Sequence, residues 1–189
     1  MLQRLIEQTR SVRRYREDEP VARETLEALV DLARLSASGG NLQPLKYKLS
    51  CSPETNDRIF PHLSWAGYIE DWPGPVEGER PAAYIIILCD RRIRESPGCD
   101  HGVAAQSMVL GAREMGLGAC MIGSIARPAL HRELALSENY EILLVLALGK
   151  PAEDVVIERV TPPRGIRYWR DEKGVHHVPK RSLEEIVLP

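Results

Sequence analysis

The spacing of hydrophobic and polar residues predicts helices in the first part of this chain, followed by strands and helices intermixed. Apolar side chains recur at helical spacing in 22–36, whereas 82–90 and 140–149 are short apolar runs typical of buried strands. No βαβ rhythm is visible, so the pattern favours an α+β fold over a doubly wound parallel sheet. We expect helices at 2–8, 22–36, 54–63 and 103–115, a further helix from Pro128, and strands at 45–51, 82–90, 119–122 and 140–149.

The chain after Pro151 is polar, and most of it is expected to be irregular. Residues 168–170 and 175–178 flank a polar turn, which predicts a hairpin. Ser182 and Glu185 have the spacing of a helix-capping box, so we expect a last short helix there.

Composition and charge narrow the possible functions. Of 189 residues, 43% are hydrophobic and 28% charged, an ordinary globular balance, so we expect one domain spanning 1–189. The net charge of 25 − 27 = −2 does not indicate a general nucleic-acid or anionic-membrane binder. Without a signal-peptide core or an apolar run of membrane length, a cytoplasmic location is expected. The four cysteines lack CxxC spacing, so buried thiols are favoured over a metal or dithiol site.

The familiar nucleotide and nucleophile motifs are absent. The sequence contains no P-loop and no GxSxG elbow. Residues 116–118 (GLG) are predicted to end a helix and lack the third glycine of a dinucleotide fingerprint. Any nicotinamide cofactor is therefore expected to bind outside a Rossmann pocket.

Four short segments carry candidate chemistry, and each also has an ordinary explanation. Residues 10–15 (RSVRRY) offer guanidinium groups for an anion, or form a solvated basic surface. Residues 38–44 (SGGNLQP) let a ligand approach the backbone, or simply cap a helix. Residues 118–124 (GACMIGS) can aim main-chain N–H groups at a ligand, or form a plain turn. Residues 178–182 (VPKRS) place two cations before a helix start, or on solvated surface.

Taken together and in this order, the four segments resemble the nitroreductase family over nearly the whole chain. The resemblance implies a central mixed, mainly antiparallel sheet flanked by helices, in an intertwined homodimer that binds FMN at its interface. Thr9 and Gly39-Gly40 stand where many relatives have Arg and Ser or Thr, and a family Asn has no clear match in 72–80.

The resemblance also implies which residues contact FMN. The phosphate would be held by Arg10, Lys180 and Arg181. Ser11 and Arg13 would reach the ribityl chain and the pyrimidine edge. Ser38, Gly39 and Asn41 would contact the FMN of the partner subunit. The backbone around Ile122, Gly123 and Ser124 would lie near flavin N5.

The implied activity is a ping-pong transfer of hydride from NAD(P)H through flavin N5 to a nitroaromatic, quinone or enone. It requires no side-chain acid or base. Residues 64–81 form a long loop in which Trp65, Tyr68 and Trp72 either shape the acceptor pocket or pack the dimer. Three alternatives stay open: a relative that uses reduced FMN for dehalogenation or flavin cleavage, a flavin-binding or sensing module without turnover, and an α+β interaction protein.

Overall fold

The computed structural model describes residues 1–188, which have an α+β fold. The helices are α1 (Leu2–Gln8), α2 (Arg23–Arg34), α3 (Pro53–Ile59), α4 (Asp100–Glu114), α5 (Arg127–Glu133) and α6 (Leu183–Ile186). The strands are β1 (Tyr15–Arg16), β2 (Leu45–Ser50), β3 (Ala83–Asp90), β4 (Gly118–Ile122), β5 (Tyr140–Pro151), β6 (Val155–Arg159), β7 (Trp169–Arg170) and β8 (His176–Lys180). Short 3-10 helices cover Gly39–Asn41 and Phe60–His62. No helix in this part of the chain has the length and hydropathy needed to cross a bilayer.

Strand β5 organises the main sheet. The sheet has the order β1-β5-β3-β2, with β4 also paired to β5, and all of these strand pairs are antiparallel. The twelve residues of β5 make it long enough for one edge to serve two partners. Gly149 pairs with Gly118 of β4, and Lys150 pairs with Arg16 of β1. The end of β5 therefore brings the basic N-terminal segment beside β4.

Both faces of the sheet are covered, which explains why all eight residues of β3 are buried. Successive side chains of a strand point to opposite faces. Ile85 and Ile87 accordingly pack in one apolar cluster with α2 and α4, and Tyr84 and Ile86 pack in a second cluster with α3 and α5. The continuous apolar run seen in the sequence is the signature of this two-sided burial.

Most predicted elements are confirmed, including the hairpin of β7 and β8 and the cap of α6, in which Ser182 Oγ accepts from Glu185 N at 3.3 Å. One boundary was wrong: helix α4 starts at Asp100 rather than 103, because its polar first turn hides the apolar period. The tail after Pro151 is largely irregular, as expected, but it also contains β6, which the sequence did not predict and which pairs in parallel with β8. A local pattern cannot reveal a pairing between segments so far apart in sequence.

Residues 10–15, called here the basic segment, lie along β4. Val12 N donates to Ala119 O at 3.0 Å, and Ser11 forms an isolated parallel bridge with Ala119. A Cβ on Gly118 would lie 2.9 Å from Val12 Cβ, so only glycine allows this close approach. The buried hydroxyl of Tyr15 donates to Val12 O and anchors the end of the segment.

Candidate functional site

A cavity of about 420 Å³ opens between the basic segment, α4, β4 and the small C-terminal sheet of β6, β7 and β8. We call it the cation cavity. It is lined by Thr9, Arg10, Ser11, Arg13, Gln106, Val109, Ala119, Met121, Tyr168, His176, Val178 and Lys180. The fold therefore brings residues from both ends of the chain to one place, as the sequence predicted for Arg10, Ser11, Arg13 and Lys180.

Three cations line this cavity without a carboxylate partner. Within residues 1–188, Arg10, Arg13 and Lys180 form no ion pair. Arg10 donates from Nη2 to Ile6 O at 2.6 Å, while its buried Nε has no hydrogen-bond partner. Burial lowers the pKa of Arg10. Unpaired guanidinium donors beside a cavity are an arrangement suited to a phosphate group.

Neutral groups hold the guanidinium of Arg13. Its Nη1 lies 3.4 Å from Ser11 O and 3.3 Å from His176 Nε2, and its Cζ lies 5.0 Å from the ring centroid of Tyr168. His176 is fully buried. Burial, helped by the charge of Arg13, lowers the pKa of His176 to about 4, so the ring is neutral at pH 7 and Nε2 can accept from Arg13.

A buried carboxylate anchors the same segment through its main chain. The side chain of Glu153 is 1% exposed and accepts from the N–H groups of Arg13 and Arg14. It also accepts from Arg170 Nη2 at 2.8 Å. Arg170 in turn lies over the ring of Trp72, with its Cζ 4.2 Å from the ring centroid. Glu153 thus ties the basic segment to the C-terminal hairpin and to the loop of 64–81.

A second cavity, of about 220 Å³, adjoins the first and shares Arg13, Met121 and Tyr168 with it. We call it the amide cavity, and it is also lined by Ile122, Gly123 and Ser124. Neither Gly123 N nor Ser124 N donates to a main-chain acceptor within residues 1–188. A Cβ on Gly123 would meet no atom within 4 Å, so open space lies beside these amides.

The predicted residues of the 38–44 turn lie elsewhere in the single chain. Ser38 Oγ donates to Asp100 at 2.6 Å and Gly39 N donates to the same carboxylate at 2.9 Å. The Ser38 hydroxyl is the largest cause of the lowered pKa of Asp100. Asn41 has a φ of 55°, in agreement with the unusual backbone expected here. Ser38 lines a separate cavity of about 370 Å³ that shares no residue with the other two.

Arg181 also lies apart from the cation cavity, because its guanidinium pairs with Glu185 at 3.5 Å on the surface. The sequence reasoning overlooked Tyr168, His176 and Glu153. A signal for His176 was present: adjacent histidines on a strand face opposite sides, so one of them faces inward. No comparable signal marked Glu153, because its partners are remote main-chain amides.

The aromatic residues of the 64–81 loop pack within the chain. Trp65 is buried, with its ring centroid 5.9 Å from that of Phe60, and it also lines the amide cavity. Tyr68 is half exposed, and its ring centroid lies 5.0 Å from that of Tyr168. Tyr68 thus lies beside Tyr168, which lines both cavities.

The fold places two adjoining cavities whose donors suit a small anionic ligand with one charged end. Unpaired cations line one cavity, and free main-chain amides line the next. This donor set, with its orphaned Arg10 Nε, fits a phosphomonoester joined to a larger polar group.

The chain belongs to the nitroreductase family, whose family model matches residues 6–150. A relative from Streptomyces griseus, provisionally named an NADH dehydrogenase/NAD(P)H nitroreductase, is 26% identical over 160 residues, covering 75% of this chain and 81% of the relative. Two solved structures share the fold. A nitroreductase family protein from Clostridium difficile 630 has a TM-score of 0.66 at 21% identity, covering 97% of this chain and 95% of that one. A structure from Exiguobacterium sibiricum, provisionally titled a nitroreductase in complex with FMN, has a TM-score of 0.68 at 17% identity, covering 80% and 89%.

Proposed function

We propose that this chain binds FMN across the cation and amide cavities and acts as an NAD(P)H-dependent oxidoreductase. In this proposal, hydride passes from NAD(P)H through flavin N5 to a nitroaromatic, quinone or enone by a ping-pong mechanism. The observation that carries the proposal is the convergence of Arg10, Arg13 and Lys180 on one cavity without any carboxylate partner. A phosphomonoester has roughly −1.5 to −2 charge at neutral pH and would be matched by these cations.

Each group of residues has a task in the proposed complex. Arg10 and Lys180 would bind the phosphate, and Ser11 would donate to the ribityl chain. Arg13, which lines both the cation cavity and the amide cavity, would present its charge to the pyrimidine edge of the ring system. Bound FMN would supply the hydride-accepting N5 position. The main-chain amides near Ile122, Gly123 and Ser124 would orient that position without donating a proton to the reaction.

The proposal includes a homodimer in the cytoplasm, with the 38–44 turn of one subunit completing the site of the other. Ser38, Gly39 and Asn41 lie away from the cation cavity of their own chain, so they would need a partner to take part. Helix α1 has no buried residue, and its Leu2 and Ile6 are exposed. Apolar side chains left uncovered on a helix favour burial in an interface.

The visible spectrum of the purified protein tests the proposal directly. We expect a flavin spectrum, or saturable quenching of FMN fluorescence by the apoprotein, and bleaching of bound flavin by NADH or NADPH under anaerobic conditions. Reoxidation by a nitroaromatic or a quinone would then give the second half-reaction. A protein that binds FMN but is not bleached would instead be a flavin-binding module or a relative with different chemistry. A protein that ignores FMN would refute the proposal.

Lys180→Ala provides a second test. Because a hydrogen bond to a charged group contributes about 1.5–3 kcal/mol, we expect FMN binding to weaken roughly 10- to 100-fold in a fluorescence titration. The matched control is Arg159→Ala, which removes an exposed cation paired in register with Lys180 but absent from the cavity lining. Arg181→Ala tests the second predicted phosphate ligand. Because Arg181 pairs with Glu185 outside the cavity lining, we expect FMN affinity to stay close to that of the wild type. Equal affinities for Lys180→Ala and Arg159→Ala would contradict the phosphate site.

A further inference from the structure

The surroundings of Arg13 differ from those of the neighbouring arginines. Arg14 pairs with Glu79 at 3.1 Å and Arg170 pairs with Glu153 at 2.8 Å. The guanidinium of Arg13 pairs with neither of these carboxylates, although Glu153 accepts a hydrogen bond from the main-chain N–H of Arg13. Its contacts are instead an imidazole, a phenol ring and a carbonyl oxygen.

Two of these contacts come from the C-terminal segment, one from β8 and one from the residue that precedes β7. Tyr168 and His176 lie beyond residue 150, where the match to the family model ends. Their rings contact each other, with centroids 5.3 Å apart. The Tyr168 ring faces the Arg13 guanidinium, and His176 Nε2 lies within hydrogen-bond distance of it. The guanidinium is therefore held between two side chains supplied by this segment.

The neutrality of these contacts has a physical consequence. A carboxylate in the place of His176 would fix Arg13 equally well but would cancel most of its charge at the cavity. A neutral imidazole acceptor and an aromatic face fix the guanidinium and leave its charge available to a ligand. The burial that lowers the pKa of His176 keeps the ring in this accepting, uncharged form.

We infer that His176 and Tyr168 are positioning residues that hold Arg13 as an uncompensated cation, so that it favours the more negative, reduced state of the bound flavin over the oxidised state. This inference rests on the proposed function and assigns to the C-terminal sheet a role in setting the flavin reduction potential. Arg13 contacts the cofactor in this scheme, whereas His176 and Tyr168 act through Arg13.

The test compares reduction potentials and FMN affinities for the wild-type holoprotein and five variants. His176→Leu removes the acceptor, His176→Gln keeps a neutral acceptor, and His176→Glu keeps an acceptor but adds a negative charge. Tyr168→Leu removes the aromatic face at a partly exposed position. His177→Gln is the matched control, because His177 stacks on Trp169 and lines neither cavity.

The inference predicts a specific order of flavin reduction potentials among the variants. His176→Leu and His176→Glu should each reduce the preference for reduced over oxidised FMN by about tenfold, which is about 30 mV in a two-electron potential. Tyr168→Leu should shift the potential in the same direction. His176→Gln and His177→Gln should stay close to the wild-type potential. The potentials are measured by anaerobic equilibration with a reference dye, and FMN affinity by fluorescence titration.

The comparison of His176→Leu with His176→Gln separates the acceptor from mere packing, because neither variant adds a charge. If His176 only supports packing, His176→Gln should lower the potential as much as His176→Leu does, and that outcome overturns the inference while leaving FMN binding intact. Should His176→Leu fail to fold, Tyr168→Leu decides, because an unchanged potential in that variant would also overturn the inference. A wild-type protein that binds no FMN would instead overturn the proposed function, and this inference with it.

Discussion

Replacement of Glu153 by glutamine should destabilise the protein more than its single change of charge suggests. The carboxylate is 1% exposed and accepts from Arg13 N, Arg14 N and Arg170 Nη2. A glutamine offers one accepting oxygen, and its NH₂ group would face a donor. The guanidinium of Arg170, itself only 11% exposed, would lose its counter-charge.

The expected magnitude follows from this burial. Removing one partner of a buried ion pair costs about 3–5 kcal/mol, because the other charge stays buried and uncompensated. Burial already lowers the pKa of Arg170, which indicates how little solvent is available to replace Glu153. For a chain of this size, the loss corresponds to a decrease of roughly 10 °C in the melting temperature.

Urea unfolding at pH 7, followed by circular dichroism, measures this loss. The control is Glu79→Gln, since the Arg14–Glu79 pair has side chains 30% and 34% exposed and should contribute about 1 kcal/mol or less. Adding Arg170→Met to Glu153→Gln should recover part of the stability, because the unpaired charge is removed as well. Equal urea midpoints for Glu153→Gln and Glu79→Gln would show that burial does not make the Glu153 contacts more stabilising than the exposed pair.

Two further predictions concern the packing of the basic segment and the buried histidine. Gly118→Ala should cost about 1–3 kcal/mol and weaken the proposed FMN binding, because the new methyl group would press on Val12. The control is Gly102→Ala in α4, whose methyl group would meet no atom within 4 Å; it should lower neither stability nor FMN binding in the same titrations. The free energy of unfolding should fall as the pH decreases from about 6.5 to about 4, because the unfolded chain then binds a proton that folded His176, with its pKa of about 4, does not. This loss of unfolding free energy is at most about 3 kcal/mol and should be smaller in His176→Gln, which urea unfolding at pH 7 and at pH 4.5 would measure. If His176→Gln keeps the wild-type pH dependence, His176 is not the source of the loss.

The position of the C-terminal sheet explains why the cation cavity has its particular form. Lys180 is the last residue of β8 and lies two residues after Val178. Strand β8 pairs with β6 on one side and with β7 on the other. The same strand presents His176 to Arg13. A segment outside the matched part of the family model thus supplies one wall of the site and an anchor for its cations.

Local sequence signals were sufficient for most of the regular elements. The apolar runs of β3 and β5, the helical period of α2 and the capping box at Ser182 each follow from neighbours within a few residues. The motif at 10–15 and the glycines near 118–124 could be recognised for the same reason, since residue type and spacing are properties of the linear chain. The register of the sheet and the cavity walls could not, because they depend on which distant strands pair.

The sequence by itself determined the α+β pattern, the buried β3 and β5, and the set of cations and glycines available for a ligand. Tertiary structure alone decided which cations would converge: Lys180 reaches the cavity, whereas Arg181 pairs with Glu185. It also decided that Glu153 would bind main-chain amides and that neutral rings would hold Arg13. The reason is physical: an ion pair or hydrogen bond depends on distance and burial in space, and spacing along the chain fixes neither for residues joined only by the fold.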